Sequence, residues 1–133
     1  MVARDSQSGY VALLAVLIMG AAATIIAVML LLTGADTQRT LLVEQRATQA
    51  RNLAGACAED VLQQIHDNTN LSGNGSATEG QGSCTYAVTV TAANTRTIDV
   101  SATVGDVVRK LKVYVTITSS SISVTSWQEV ADA

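Results

Sequence analysis

The side chains best suited to covalent or metal chemistry in this sequence are two cysteines and one histidine. Cys57 lies in a stretch with helical periodicity, and Cys84 lies where a strand-like alternation begins. A disulfide between them would close a loop of about 27 residues and stabilise a small domain by about 3–4 kcal/mol. Two buried free thiols are the alternative. His66 adds a single further ligand, so the sequence does not predict a zinc site, which needs four ligands.

A second group of residues has the spacing of a calcium-binding loop. Its members, in chain order, are Asn68, Asn70, Ser72, Gly73 and Glu79. Such loops carry carboxylates at their early positions, whereas here only Glu79 is charged, so a solvated loop is favoured over a calcium site. A single histidine also gives no Ser-His-Asp or Cys-His arrangement that the sequence would identify. We therefore predict no catalytic, cofactor-binding or metal-binding residues and expect that the chain is not an enzyme.

Composition separates the broad classes of protein. The chain has 133 residues, of which 48% are hydrophobic and 14% charged, and its mean hydropathy is +0.31. This composition is more apolar and less charged than that of a typical small soluble domain. The formal net charge of −3 gives no basic surface for nucleic acid, so we predict no nucleic-acid partner. Arg109, Lys110 and Lys112 form a small basic patch on the sheet, and because Lys110 and Lys112 share the predicted solvated face, a solvated surface is expected there.

The apolar excess is concentrated in residues 10–33, which read YVALLAVLIMGAAATIIAVMLLLT. About 20 helical residues cross a bilayer core, so residues 10–34 are predicted to form a transmembrane helix. A secretory signal cleaved after Ala23 is the alternative, but the equally apolar run that follows favours a retained helix. Basic residues lie on both sides of the span, which leaves its orientation ambiguous. The cysteine pair favours export of the part that follows the span.

Residues 35–66 are predicted to continue as an amphipathic helix. They are rich in good helix formers, although Gly34 and Asp36 are compatible with a weak joint between the two parts. Apolar side chains recur at spacings of three and four residues along one stripe, which consists of Ala47, Ala50, Leu53, Ala54, Cys57, Val61, Leu62 and Ile65. Residues 67–83, rich in Gly, Ser and Asn, are predicted to form a loop.

Residues 84–133 contain four runs in which apolar residues alternate with Thr, Ser or charged residues. Alternation of this kind predicts an antiparallel sheet with one solvated face. Short turns at 93–94, 105–106 and 118–120 indicate that strands adjacent in sequence are adjacent in the sheet. The predicted fold class is therefore α+β, with a long N-terminal hydrophobic helix packed on a four-stranded antiparallel sheet.

This order of parts resembles the prepilins of type IV pili and type II secretion systems. A short hydrophilic leader, residues 1–9, ends in Gly9, and the aromatic Tyr10 begins an uncharged helix that continues into an amphipathic stem, a loop and a sheet. The resemblance implies that a prepilin peptidase cleaves between Gly9 and Tyr10 and methylates the new N-terminus. It also implies a single-pass protein of the cytoplasmic membrane with an extracytoplasmic C-terminal domain, which later joins a cell-surface filament.

Two departures from the family pattern bear on the kind of subunit. Leu14 stands at the fifth position of the implied mature chain, where the family usually has Glu, and no proline interrupts the helix. The resemblance is therefore nearest to minor pilins or the tip pseudopilin. Gly20, Ala23 and Ala27 provide small side chains for close packing against other pilin subunits. A major repeating pilin, a single-pass anchored binding domain outside any filament and a secreted adhesion module are the alternatives.

Overall fold

The computed structural model describes residues 2–131, with side chains from residue 7 onward. One helix is followed by five strands: α1 (Val2–Asp67), β1 (Gly73–Glu79), β2 (Gly82–Ala92), β3 (Thr95–Val104), β4 (Val107–Ile117) and β5 (Ile122–Val130). Two compact units divide the chain, Met1–Leu41 and Leu42–Ala133. The predicted fold class, a long N-terminal helix with an antiparallel sheet packed on it, is confirmed. The sheet has five strands instead of the predicted four.

Helix α1 continues through Gly34 without interruption. The weak joint considered at this position is therefore not present. The helix ends close to the predicted position, where the Asn68 amide donates to the Gln64 carbonyl at 2.9 Å. The Asn68 side chain then accepts a hydrogen bond from the Asn70 amide at 3.2 Å, which begins the connection to β1.

In the second unit, the last part of α1 packs on one face of the sheet. Six side chains of this part of the helix are buried: Ala50, Ala54, Cys57, Ala58, Val61 and Ile65. Five of them belong to the predicted stripe, and Ala58 lies beside it. All of them except Ala50 pack with apolar side chains of β2, β3 and β4, among which Ile98, Val113 and Val115 are fully buried. Four of the six buried helix residues are small, three alanines and a cysteine, and the core that they form with the sheet is aliphatic.

The sheet is an antiparallel meander in the order β1-β2-β3-β4-β5. In β3 and β4 the predicted apolar faces are buried, because Ile98, Val100, Leu111 and Val113 point towards α1. The alternation in the sequence also predicts Val90 and Val124 on this face, but both are exposed, Val90 at 51% and Val124 at 44%. Each lies beside a register shift, at Val90/Ala92 in the β2–β3 pair and at Tyr114/Val115 in the β4–β5 pair. Their direct partners, Arg96 and Val115, are buried on the α1 side, so the register shifts do not turn the two valines to the other face.

Strand β1 lies within residues 67–83, which the sequence analysis assigned to a loop. That assignment was wrong for Gly73–Glu79, which pair with β2 over their whole length. The strand has little apolar alternation, and a neighbouring aromatic ring provides its packing instead. The Tyr86 ring occupies the position where a Cβ at Gly75 would lie, and the Tyr86 hydroxyl donates to Gln64 Oε1 at 3.3 Å. An aromatic side chain that covers a cross-strand glycine is a known way to stabilise such a pair.

Gly55 lies in the interior of α1, and no atom comes within 4 Å of the position that its Cβ would occupy. Glycine destabilises a helix interior relative to alanine, so Gly55→Ala is expected to raise the free energy of unfolding by about 0.5–1 kcal/mol. Chemical denaturation in detergent, followed by fluorescence of the sole tryptophan, Trp127, measures this change.

Gly82→Ala is the matched control for this substitution. A Cβ at Gly82 would lie 2.6 Å from Leu53 Cδ2 and 2.9 Å from Val104 Cγ2, so the same added methyl group is expected to destabilise the domain. Equal stability changes in the two variants would contradict this explanation, because they would show that the space around each glycine does not determine the effect.

Candidate functional site

A disulfide joins Cys57 on α1 to Cys84 on β2, and the two Cα atoms are 6.6 Å apart. The predicted pairing is confirmed. Both residues are buried within the core of the second unit. The bond closes 27 residues of chain, including the end of α1 and the whole of β1. It therefore links the helix covalently to the sheet and restrains the glycine-rich strand between them.

Within the first unit, α1 exposes every described side chain. Successive residues of a helix are rotated by about 100°, which places Gly20, Ala23 and Ala27 on one face. No atom lies within 4 Å of the position for a Cβ at Gly20, so this face is open. Leu14 is rotated by about 120° from Gly20 and belongs to a different face. The structure thus brings three of the four predicted assembly positions together and separates Leu14 from them.

The hydroxyl groups within the apolar stretch are hydrogen-bonded to backbone carbonyls of the same helix. The hydroxyl of Thr24 donates to the Ala21 carbonyl at 2.7 Å, and that of Thr33 donates to the Met29 carbonyl at 2.9 Å. Backbone polar groups in lipid must be satisfied internally, and a continuous helix achieves this. The described helix Gln7–Asp67 is long and apolar enough to cross a membrane. By length and composition, it is therefore compatible with a single-pass membrane anchor.

Gly9 and Tyr10, the predicted cleavage position, lie inside α1 and not at its end. Tyr10 is 67% exposed, and the space around Gly9 is open. The predicted leader covers residues 1–9, of which Met1 and the side chains of residues 2–6 lie outside the described residues. Cleavage of the Gly9–Tyr10 bond in an extended peptide conformation would require this first part of the helix to unwind locally.

The residues with calcium-loop spacing do not converge. Gly73 and Glu79 lie at opposite ends of β1, which separates them by about 20 Å at the rise of an extended strand. Asn68 participates in the turn after α1, as described above. Among the described residues, no three His, Cys, Asp or Glu side chains are grouped closely enough to hold a metal ion. His66 is exposed, with Nδ1 3.5 Å from the Asp67 carboxylate.

The predicted basic patch is divided between the two faces of the sheet. Arg109 points towards α1 and contacts the Glu129 carboxylate at 3.3 Å, and Arg51 of α1 contacts the same carboxylate at 2.8 Å. Lys110 and Lys112 share the opposite face, where Lys112 lies 3.3 Å from Asp99. Grouping Arg109 with the lysines was therefore wrong, because residues adjacent along a strand point to opposite sides.

Arg96 is a structural residue that the sequence analysis did not identify. It is 6% exposed, although arginine is among the residues least often buried. Its guanidinium donates to four backbone carbonyls, those of Ala92, Ala93, Thr95 and Thr69. The strand alternation places Arg96 on the same face as Ile98, so the sequence did contain a signal that Arg96 is buried. An arginine at a position that faces the core requires buried acceptors.

No protein-family model, curated protein or solved structure matches this chain.

Proposed function

We propose that this chain is a structural subunit, present in low copy number, of a surface filament resembling a type IV pilus or a type II secretion pseudopilus. The observation that supports the proposal most directly is the continuity of α1. A single helix of 66 residues contains both the uncharged apolar stretch and the stripe that carries the sheet. An anchor alone requires about 20 helical residues. The additional length is consistent with helices that leave the bilayer and pack against one another.

The surface of the first unit supports this assembly mode. Between residues 10 and 33 its side chains are exposed, uncharged and almost all apolar, so a membrane or neighbouring helices must cover them. The face formed by Gly20, Ala23 and Ala27 permits close approach of another helix, as in membrane helix pairs. The partners that we propose are other pilin subunits. Leu14 lacks the carboxylate that would neutralise a neighbour's N-terminal amine, which favours a tip or low-copy position over a repeating one.

Before assembly, the protein would reside in the cytoplasmic membrane with residues 42–133 on the outer side. The Cys57–Cys84 disulfide fits this location, because disulfides persist in oxidising compartments. A prepilin peptidase would then remove residues 1–9 and methylate Tyr10. The helical hydrogen bonds of Thr24 and Thr33 allow the apolar stretch to occupy either lipid or a helical filament core without exposing an unsatisfied hydroxyl.

The proposal is tested in the source organism by measuring both cleavage of the precursor and incorporation of the product into surface filaments. Sheared surface filaments are expected to contain the chain as a minor band, and mass spectrometry is expected to find a methylated Tyr10 at its N-terminus. Gly9→Val should leave the protein at full length in the membrane and absent from filaments, since the peptidase requires a small residue before the cut. Antibodies raised against peptides from residues 42–133 detect both the full-length and the processed protein, so the amounts of the two can be compared.

Gly34→Val is the matched control for the processing experiment. Gly34 also lies in α1 with open space around its Cβ position, so the same substitution there should leave cleavage unchanged. Normal processing of Gly9→Val would contradict the prepilin assignment. A dominant repeating band would contradict the low-copy position, and complete absence of the processed wild-type chain from filaments would favour an anchored binding domain.

A further inference from the structure

Two short segments of this chain have the sequence pattern of an N-glycosylation acceptor, in which serine or threonine follows two residues after an asparagine. They are Asn70-Leu71-Ser72 and Asn74-Gly75-Ser76. The chain has five asparagines, and only these two are followed by a hydroxyl side chain at that spacing. Both asparagines and both serines are exposed. The part of the domain from the end of α1 to β1 therefore presents two candidate acceptors to solvent.

Asn70 lies between two neighbours that are fixed to the rest of the domain. The Thr69 carbonyl accepts a hydrogen bond from Arg96 Nη2 at 3.1 Å, and the partly buried Leu71 side chain packs against the core. Asn70 and Ser72, on either side of Leu71, are exposed. The asparagine and the hydroxyl group of the motif are thus both available to a transferase, while the core contact of Leu71 holds the segment in place.

Asn74 has the same motif in a different backbone environment. It belongs to β1, whose residues Gly73–Glu79 pair with β2 over their whole length. A transferase that binds the acceptor peptide along its backbone must first detach this strand from the sheet, which costs free energy. Residues 68–72 lie outside the strands, where binding and modification sites are most often found. Asn70 is therefore the acceptor that the folded domain presents.

The strand that follows this segment gives a physical use for a bulky polar group at Asn70. Strand β1 is an edge of the sheet, and its register with β2 is regular from Gly73 to Glu79. It contains no lysine or proline, so it lacks the features that commonly prevent an exposed edge from pairing with another chain. A hydrated oligosaccharide attached just before Gly73 would shield the beginning of this edge.

We propose that Asn70 is the acceptor of an N-linked oligosaccharide, which is transferred from a polyprenyl diphosphate carrier on the outer side of the membrane. Asn70 Nδ2 forms a bond to the anomeric carbon of the first sugar, and the bond between that carbon and the diphosphate oxygen breaks. The amide nitrogen loses one proton, and the polyprenyl diphosphate leaves with the bonding electron pair. This inference goes beyond the filament function but rests on the proposed export of residues 42–133.

Peptide mapping by mass spectrometry of the protein purified from membranes of the source organism tests the site. Electron-transfer fragmentation leaves glycans attached, so each added mass can be assigned to one residue. We expect an oligosaccharide on Asn70 and none on the exposed Asn52, which is followed by Leu-Ala and lacks the hydroxyl. Ser72→Ala should lower the modified fraction of Asn70 by about tenfold or more, whereas Ser72→Thr should retain it, because the motif requires a hydroxyl.

The same maps separate this inference from the filament proposal, and the Cys57–Cys84 disulfide in them shows that each variant is folded. Gly9→Val protein, which is expected to remain unprocessed, should still carry the oligosaccharide, because addition to Asn70 does not require assembly. Unmodified Asn70 in wild-type protein with a methylated Tyr10 would overturn the inference and leave the filament proposal intact. Modification that persists in Ser72→Ala, or a glycan on Asn74 alone, would also overturn it.

Discussion

Reduction of the Cys57–Cys84 disulfide is expected to lower the free energy of unfolding of residues 42–133 by about 3–4 kcal/mol. The bond closes 27 residues, so its loss returns considerable conformational freedom to the unfolded chain. The core buries too little apolar surface to compensate for this loss of stability. Its largest fully buried side chains are isoleucine and valine, and the sequence contains no phenylalanine. Small domains with limited cores often depend on such a covalent link.

Urea titrations of the full chain in detergent, with and without a phosphine reductant, measure this loss through Trp127 fluorescence. Trp127 lies on β5 and is 44% exposed, so it reports on the second unit. Cys57→Ala combined with Cys84→Ala provides the control. Its stability should resemble that of the reduced wild type and should not respond to the reductant. An unchanged unfolding midpoint in a sample shown by mass spectrometry to be fully reduced would refute the prediction.

The parts of the fold that could be predicted from the sequence are those in which burial imposes a repeating pattern. Strands β3 and β4 have neighbours on both sides and one face covered by α1, so their apolar residues recur at every second position. Strand β1 lies at an edge of the sheet and consists of GNGSATE. Its stability depends on pairing with β2 and on the Tyr86 ring over Gly75, which are tertiary interactions. A pattern within β1 alone cannot contain this information.

The candidate sites show the same division. Cys57 and Cys84 were predictable as a pair because each lies on the core face of its own element. The opposite directions of Arg109 and Lys110 were also contained in the strand alternation, although their adjacency in sequence suggested one patch. In contrast, the cavity lined by Lys110 and Lys112 depends on the shape of the whole sheet, which no single strand determines.

Arg96 is the residue whose role was least accessible from sequence, because its acceptors come from two separate segments. One guanidinium nitrogen, Nη1, donates to the carbonyls of Ala92, Ala93 and Thr95 around the β2–β3 turn. The other, Nη2, donates to the Thr69 carbonyl at 3.1 Å. The planar guanidinium thus connects the β2–β3 turn to the segment between α1 and β1. A charged group at this depth is stable only because these carbonyls replace its water.

Arg96→Lys is therefore expected to lower the free energy of unfolding by about 2–4 kcal/mol, even though the charge is retained. A single ammonium group cannot reproduce the fork that reaches both Thr69 and the turn, so at least one buried carbonyl loses its donor. Hydrogen exchange at residues 68–74 should also accelerate, because the connection to β1 is released. Arg46→Lys is the control. The ion pair of Arg46 with Asp106 is exposed and long, at 4.0 Å, so its replacement should change stability by less than about 0.5 kcal/mol. Equal effects of the two substitutions, or unchanged exchange at 68–74, would show that Arg96 does not hold this connection.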